Sequence, residues 1–143
     1  MTHGVTTYRI RSVVLYRITL QTKLMTKKLK NVLVVDCFTE RVNFFIEMFG
    51  NHHLDVTENF RDAIFYLLSN VYDYIFLGGE LGQGNGSGYD VARFLVSKPE
   101  NPNNQSKIII HSWNMLEAEG IKSLLPSAAF VPFNEAIYST LRL

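Results

Sequence analysis

Residues 74–90 read YIFLGGELGQGNGSGYD. Four apolar positions, Tyr74 to Leu77, have the length and density of a strand buried on both faces. Six glycines then fall between Gly78 and Gly88, and the segment closes on the start of a helix that continues to Ser97 through Val91, Phe94 and Leu95. Buried strands of α/β proteins often present a charged or nucleophilic side chain where they end. This one presents Gly78 and Gly79, with Glu80 just behind.

Outward from this unit the same alternation repeats. NVLVVD at 31–36 is a valine-rich apolar run, followed by a helix over 40–49 with Thr39 as its cap, Val42, Phe45, Met48 and Phe49 at helical spacing, and Gly50 as its stop. A short strand over 53–57 precedes a helix over 59–69, whose Phe60, Ile64, Leu67 and Leu68 form one face and whose first turn is served by Asn59 and Asp62. The third strand covers 72–77. The segment PENPNNQS, 99–106, is a loop by composition. A strand KIIIH at 107–111, a helix over 114–125 weakened near Gly120, a strand at 128–131 and a helix at 134–141 complete the chain. Five short apolar strands alternating with five helices predict an α/β, doubly wound, three-layer sandwich. Its five parallel strands take the flavodoxin-like order 2-1-3-4-5, joined by right-handed crossovers.

With 143 residues, 47% of them hydrophobic, the chain has the core for one domain. One cysteine, Cys37, excludes an internal disulfide and argues against a thiolate metal site, which makes a reducing cytoplasm the expected setting. No apolar run reaches membrane-spanning length, so no membrane contact is expected. Charge is divided unevenly. Residues 1–30 hold seven lysines and arginines and no acid, whereas the remainder holds seven basic and thirteen acidic residues. We therefore divide the chain into a basic N-terminal extension, 1–29, and a domain, 30–143. The extension reads as a targeting leader, as an arm for an anionic partner such as nucleic acid, or as sequence upstream of a start at Met25. Its β-prone stretch TTYRIRSVVLYRITL also suits an added strand or self-association.

In such a sheet, ligands sit outside the carboxyl ends of strands 1 and 3. The rim then comprises Asp36 and Cys37, residues 78–88, residues 111–114 and residues 131–133. Asp36 and Glu80 are the candidate metal ligands, with capping and a solvated loop acid as their alternatives. The glycine loop offers backbone N–H groups for an anion, but it lacks the Lys-Ser/Thr ending of a phosphate-binding loop and also reads as a connector. His111, Ser112 and Asn114 bring an imidazole, a hydroxyl and an amide to one edge; His111 suits acid–base work or phosphate binding, and Ser112 or Asn114 suits a helix cap. His52 and His53 fall at the opposite end of strand 2, where solvation is expected. Trp113 reads as a partly exposed lid or a packing residue.

These elements resemble the receiver domain of two-component response regulators, and more closely the branch of cyclic-phosphate-processing receiver-like domains, over 30–143. Asp36 and Arg41 stand in the branch's D-D-x-x-R-like element, with Cys37 replacing the second acid. Gly78, Gly79 and Glu80 take the D-H-D of its L-D-H-D-L. Gly88, Asp90, Val91 and Ala92 match its helix 3 entry, His111, Ser112 and Asn114 match H-S-x-N, and Pro132-Phe133 closes the pattern. The resemblance implies a CheY-like fold in which an Asp ending strand 3 accepts phosphate, paired acids near strand 1 hold magnesium, and a Lys ends strand 5. Here those positions carry Gly78, Asp36 alone, and Val131.

Glycine forms no acyl phosphate, and one carboxylate is a poor shell for magnesium, so no cofactor is expected. The reading that follows is a degenerate receiver-like domain for signalling that binds a phosphorylated small molecule (a cyclic phosphate or nucleotide) or a protein partner without catalysis. Its binding residues are Arg41, Gly78, Gly79, Gly88, His111, Ser112 and Asn114. The alternative is a weak phosphoesterase acting on cyclic phosphates, with His111, Glu80 and Asp36 as catalytic groups. A third reading is a homodimer or partner face on helix 4, strand 5 and helix 5, where Phe130, Phe133 and Tyr138 are contacts or ordinary packing residues.

Overall fold

The computed structural model describes residues 28–143. The extension's readings therefore lie outside the described residues, apart from its last two positions. Five strands, β1 (Asn31–Val35), β2 (His53–Thr57), β3 (Tyr74–Leu77), β4 (Lys107–Ile110) and β5 (Ala129–Phe130), pair in parallel in the order β2-β1-β3-β4-β5. The helices between and after them are α1 (Thr39–Phe49), α2 (Phe60–Ser69), α3 (Gly88–Ser97), α4 (Met115–Leu124) and α5 (Glu135–Tyr138). This is the expected flavodoxin-like sheet.

The period-2 geometry of strands divides the core. Leu33, Val35, Ile75, Leu77 and Ile110 face one side with Ala63 and Leu67 of α2, Val91 and Leu95 of α3, and Ala118 and Ile121 of α4. Val32, Val34 and Phe76 face the other with Phe45 and Phe49 of α1 and Tyr138 of α5. Both faces of β1 and β3 are thus buried, which is why their sequences run continuously apolar instead of alternating.

Several local expectations are corrected. Phe38, not Thr39, is the N-cap of α1, and its side chain makes no capping bond; its backbone N–H donates instead to Asp36 Oδ1 at 2.9 Å. Leu68 of α2 is exposed, and Ala63 holds the inner face with Leu67. Strand β3 starts at Tyr74 because Tyr72 spends its backbone on the 99–106 loop: its N–H donates to Asn103 Oδ1, and its carbonyl accepts from Ser106 Oγ. Helix α4 runs unbroken through Gly120, whose bare Cα faces the Tyr89 ring. Strand β5 and helix α5 are shorter than expected. His52 is half-buried and accepts from the Lys30 N–H at 3.0 Å, pinning the entry to β1.

Candidate functional site

At the carboxyl edge β1 leads into Asp36 and β4 into His111, and both side chains are fully buried. His111 Nε2 lies 2.7 Å from Asp36 Oδ2. Arg41, one turn into α1, reaches back: Nη2 donates to Asp36 Oδ1 at 2.8 Å. Its Nε lies 2.7 Å from Oδ2, but the N–H is not aimed at that oxygen, so this contact is ionic rather than a formed hydrogen bond. Asp36 thus receives an imidazole, a guanidinium and a backbone N–H.

Burial alone raises a carboxyl pKa. Here it is outweighed by the hydrogen bonds and charge from His111 and Arg41 and by the Phe38 N–H, so Asp36 titrates below its ordinary range. Burial, aided by the Arg41 charge, lowers the His111 pKa against the opposing pull of Asp36. The imidazole is therefore neutral near pH 7. Nε2–H donates to Asp36, and Nδ1, also buried, has no partner.

Above this pair the Arg41 guanidinium packs against two rings, 4.2 Å from the Phe38 centroid and 4.5 Å from that of Trp113. Trp113 Nε1 donates to the Phe133 carbonyl at 2.8 Å, which fixes the outer ring. Such stacking of a desolvated cation adds about 2 kcal/mol. Sequence reasoning places Trp113 at the rim as a lid or a packing residue; it has no means of finding Phe38, whose role depends on the path of Arg41 over it.

The glycines at the tip of β3 make room for neighbours. A Cβ on Gly78 would sit 3.0 Å from the Val35 carbonyl oxygen, 3.4 Å from His111 Nε2 and 3.7 Å from Asp36 Cγ. A Cβ on Gly79 would run into the Glu117 carboxylate and approach Ser112 Oγ to 2.8 Å. Gly88 donates its N–H to the Gly79 carbonyl at 2.6 Å, and a Cβ there would collide with the Gly78 carbonyl. The loop closes through an antiparallel bridge between Glu80 and Ser87. Ser87 and Asp90 form a capping box on α3, and Gly82, Gly84 and Gly86 adopt positive φ.

The fold thus brings Asp36, Arg41, Gly78 and His111 into one cluster, with Gly79, Gly88 and Ser112 at its side. Ser112 Oγ accepts from the Asn114 N–H and lies 3.4 Å from Glu117 Oε2, and Asn114 Oδ1 caps α4 through the Leu116 and Glu117 N–H groups. Glu80 is exposed and no hydrogen bond or ion pair joins it to Asp36 or His111; its carbonyl accepts from Cys37 Sγ at 3.4 Å. Glu117 is the rim residue that sequence reasoning missed. Its signal was its place three residues after the cap Asn114, which turns it back over Gly79.

Magnesium, which the receiver resemblance implies, does not fit these residues. Both Asp36 oxygens already accept from protein donors, and a guanidinium stands against them where a cation would bind. Among the described residues no group of three or more His, Cys, Asp or Glu is gathered that could hold a metal ion. No helix among them is long and apolar enough to cross a membrane.

Comparison with known proteins agrees with this fold. The model of the cyclic-phosphate processing receiver domain matches residues 32–127. The chain belongs to that family. In structure, this receiver domain is similar to the phosphorylated cyanobacterial phytochrome response regulator RcpA, with 15% identity, a TM-score of 0.66, and 78% of this chain and 90% of that one covered. It is also similar to the response regulator TrrA from Thermotoga maritima, solved with Mg(2+)-BeF, at 22% identity, 0.60, and 74% and 88% covered. A third is the signal receiver domain of a putative LuxO repressor protein from Vibrio parahaemolyticus, at 20% identity, 0.60, and 79% and 86% covered. These likenesses concern the fold. No curated protein matches the chain.

Proposed function

We propose that this receiver domain is a non-catalytic module that acts by contact with a protein partner at its carboxyl edge. One observation carries the reading: Asp36, Arg41 and His111 satisfy one another in the dry interior, so none of these three is held ready for a phosphate or a metal. Buried ion pairs are retained where each partner is compensated, and withdrawing one for a ligand would leave the other uncompensated.

Binding of a phosphorylated small molecule has support in the retained His111, Ser112 and Asn114 and in the backbone donors of the glycine loop. Against it stands the charge of the rim. Residues 36–41, 78–82, 111–117 and 131–135 hold one base, Arg41, which pairs with Asp36, together with Glu40, Glu80, Glu117 and Glu135. Such an edge repels phosphate. The alternative, a phosphoesterase acting on cyclic phosphates with His111, Glu80 and Asp36, asks a fully buried neutral imidazole to reach a substrate.

Calorimetric titration of the full chain with cyclic nucleotides, linear nucleotides and inorganic phosphate tests the reading, alongside hydrolysis assays with magnesium or manganese. The expected result is no heat and no turnover. Heat or turnover that disappears in His111→Asn would overturn it.

A further inference from the structure

The sheet separates charge between its two edges. At the carboxyl edge the rim carries Glu40, Glu80, Glu117 and Glu135 against one base, Arg41, which pairs with Asp36. At the amino edge residues 28–31, 70–74 and 98–107 hold four lysines and two acids, and one of those acids, Asp73, accepts from the Asn31 N–H at 2.8 Å. Helix dipoles draw acids to first turns and bases to last turns. They do not account for Glu80, which lies in the loop after β3, or for Lys28, Lys30 and Lys107, which stand where strands begin.

Each edge also presents apolar surface. Leu116, in the first turn of α4, is 80% exposed, more than any other large apolar side chain among the described residues, and its neighbours Trp113 and Met115 are exposed as well. The opposite edge offers a cleft of about 310 Å3 lined by Val71, Tyr74 and Pro102 together with Lys30 and Lys107. The Lys107 ammonium lies 5.5 Å from the Tyr74 centroid, which keeps its charge over this wall. Apolar surface rimmed by charge marks an interaction site. Two carboxyl edges brought together would oppose glutamates to glutamates, and two amino edges lysines to lysines. Only the crossed pairing sets apolar on apolar and acid on base. We propose that the Trp113–Leu116 projection of one copy seats in the Lys30–Lys107 cleft of a second copy, so that the chain assembles head to tail. The partner at the carboxyl edge is then another copy of this chain, an identification that rests on the reading of that edge as a contact surface. Such a contact uses different faces on the two copies, so it propagates or closes into a ring instead of stopping at two.

Sedimentation velocity of the full chain tests this. In low salt the weight-average mass should climb with concentration past twice the 16.4 kDa of one chain, and high salt, which screens the glutamate–lysine pairs, should lower it. Leu116→Gln removes the apolar projection, and Val71→Glu sets an acid in the cleft. Both positions are exposed and outside the core clusters, and circular dichroism verifies folding. Each variant alone should weaken association by about tenfold or more. Mixed in equal amounts, the two should form dimers that grow no further, because one intact projection then meets one intact cleft. A wild-type mass that stays at one chain, or that levels at two, would overturn the proposal, as would a mixture that associates no more than its components. A monomeric wild type overturns the assembly alone and leaves the carboxyl edge to a partner of different sequence. Heat or turnover with nucleotides overturns the reading of the preceding section instead, so the two fail separately.

Discussion

His111 Nε2 and Asp36 Oδ2, just beyond the carboxyl ends of β4 and β1 and 75 residues apart, meet at 2.7 Å with neither side chain exposed. The relationship makes stability depend on pH with a definite sign. The folded-state pKa of His111 is lowered from 6.5, chiefly by burial, so below pH 6.5 the unfolded chain binds a proton that the folded chain refuses. The contribution of His111 is complete above pH 6.5 and declines as pH falls toward the folded pKa, by up to about 1.4 kcal/mol per pH unit. Asp36, also lowered, adds a second loss of the same sign below its ordinary value of 3.8. Urea denaturation between pH 8 and pH 5 should show the first decline in wild type, and His111→Asn should flatten it. Equal slopes in the two proteins would contradict a neutral buried imidazole.

Arg41 supplies the compensating charge for Asp36. Arg41→Ala leaves a buried carboxylate without its cation and should cost about 3–5 kcal/mol. The pair Asp36→Asn with Arg41→Met removes both charges and should cost less than the two single changes added together. Arg41→Lys keeps the charge but loses the planar fork and its packing against Phe38 and Trp113, so it should restore only part of the loss. Denaturant midpoints across this double-mutant cycle measure the coupling directly. Additive effects would mean that the contacts do not act as a unit.

The fold was legible because both faces of β1 and β3 are buried, which writes continuous apolar runs at 32–35 and 75–77, and because Gly50, Asn59 and Asn114 mark helix ends. The rim, too, could be read from the sheet order. Which rim groups are free to act could not. That depends on Arg41 folding back onto Asp36, and on Glu117 turning over Gly79, both set by tertiary packing and not by spacing. The failed details share this cause. Leu68 satisfies the helical period yet points outward, and the Tyr72 backbone is taken by a loop more than thirty residues away.

The glycine loop contains two kinds of glycine, which substitution should separate. At Gly88 a methyl group would collide with the Gly78 carbonyl, inside the turn that lets β3 pass into α3. Gly88→Ala should therefore destabilise by several kcal/mol, as overpacking against rigid backbone does at its upper end. At Gly84 nothing lies within reach of a methyl group, and only the positive φ of +79° opposes it. Gly84→Ala should cost about 1 kcal/mol, the left-handed penalty of a residue with a side chain. Thermal unfolding of both variants checks the order. Equal losses would show that φ, and not contact with Gly78, sets the need for glycine.

Placing an aspartate at the end of β3 should not create phosphate acceptance. In Gly78→Asp the new Cβ enters a space bounded by the Val35 carbonyl, His111 Nε2 and Asp36 Cγ at 3.0, 3.4 and 3.7 Å. The added carboxylate then lies beside Asp36, and like charges so placed resist joint ionisation unless a cation joins them. Arg41 already holds that cationic role at Asp36 and leaves magnesium no oxygen there. The variant should fold less stably than wild type. After incubation with magnesium and either acetyl phosphate or beryllofluoride, intact mass spectrometry should detect no phosphoryl adduct, and thermal unfolding should show no ligand-induced gain. Adding Arg41→Ala to Gly78→Asp clears the cation's place, so this double variant is the one in which magnesium-dependent stabilisation should emerge. An acid-labile adduct mapped to residue 78 with Arg41 intact would mean that the guanidinium yields to the metal, and the self-satisfied cluster would then be a closed form of a working site.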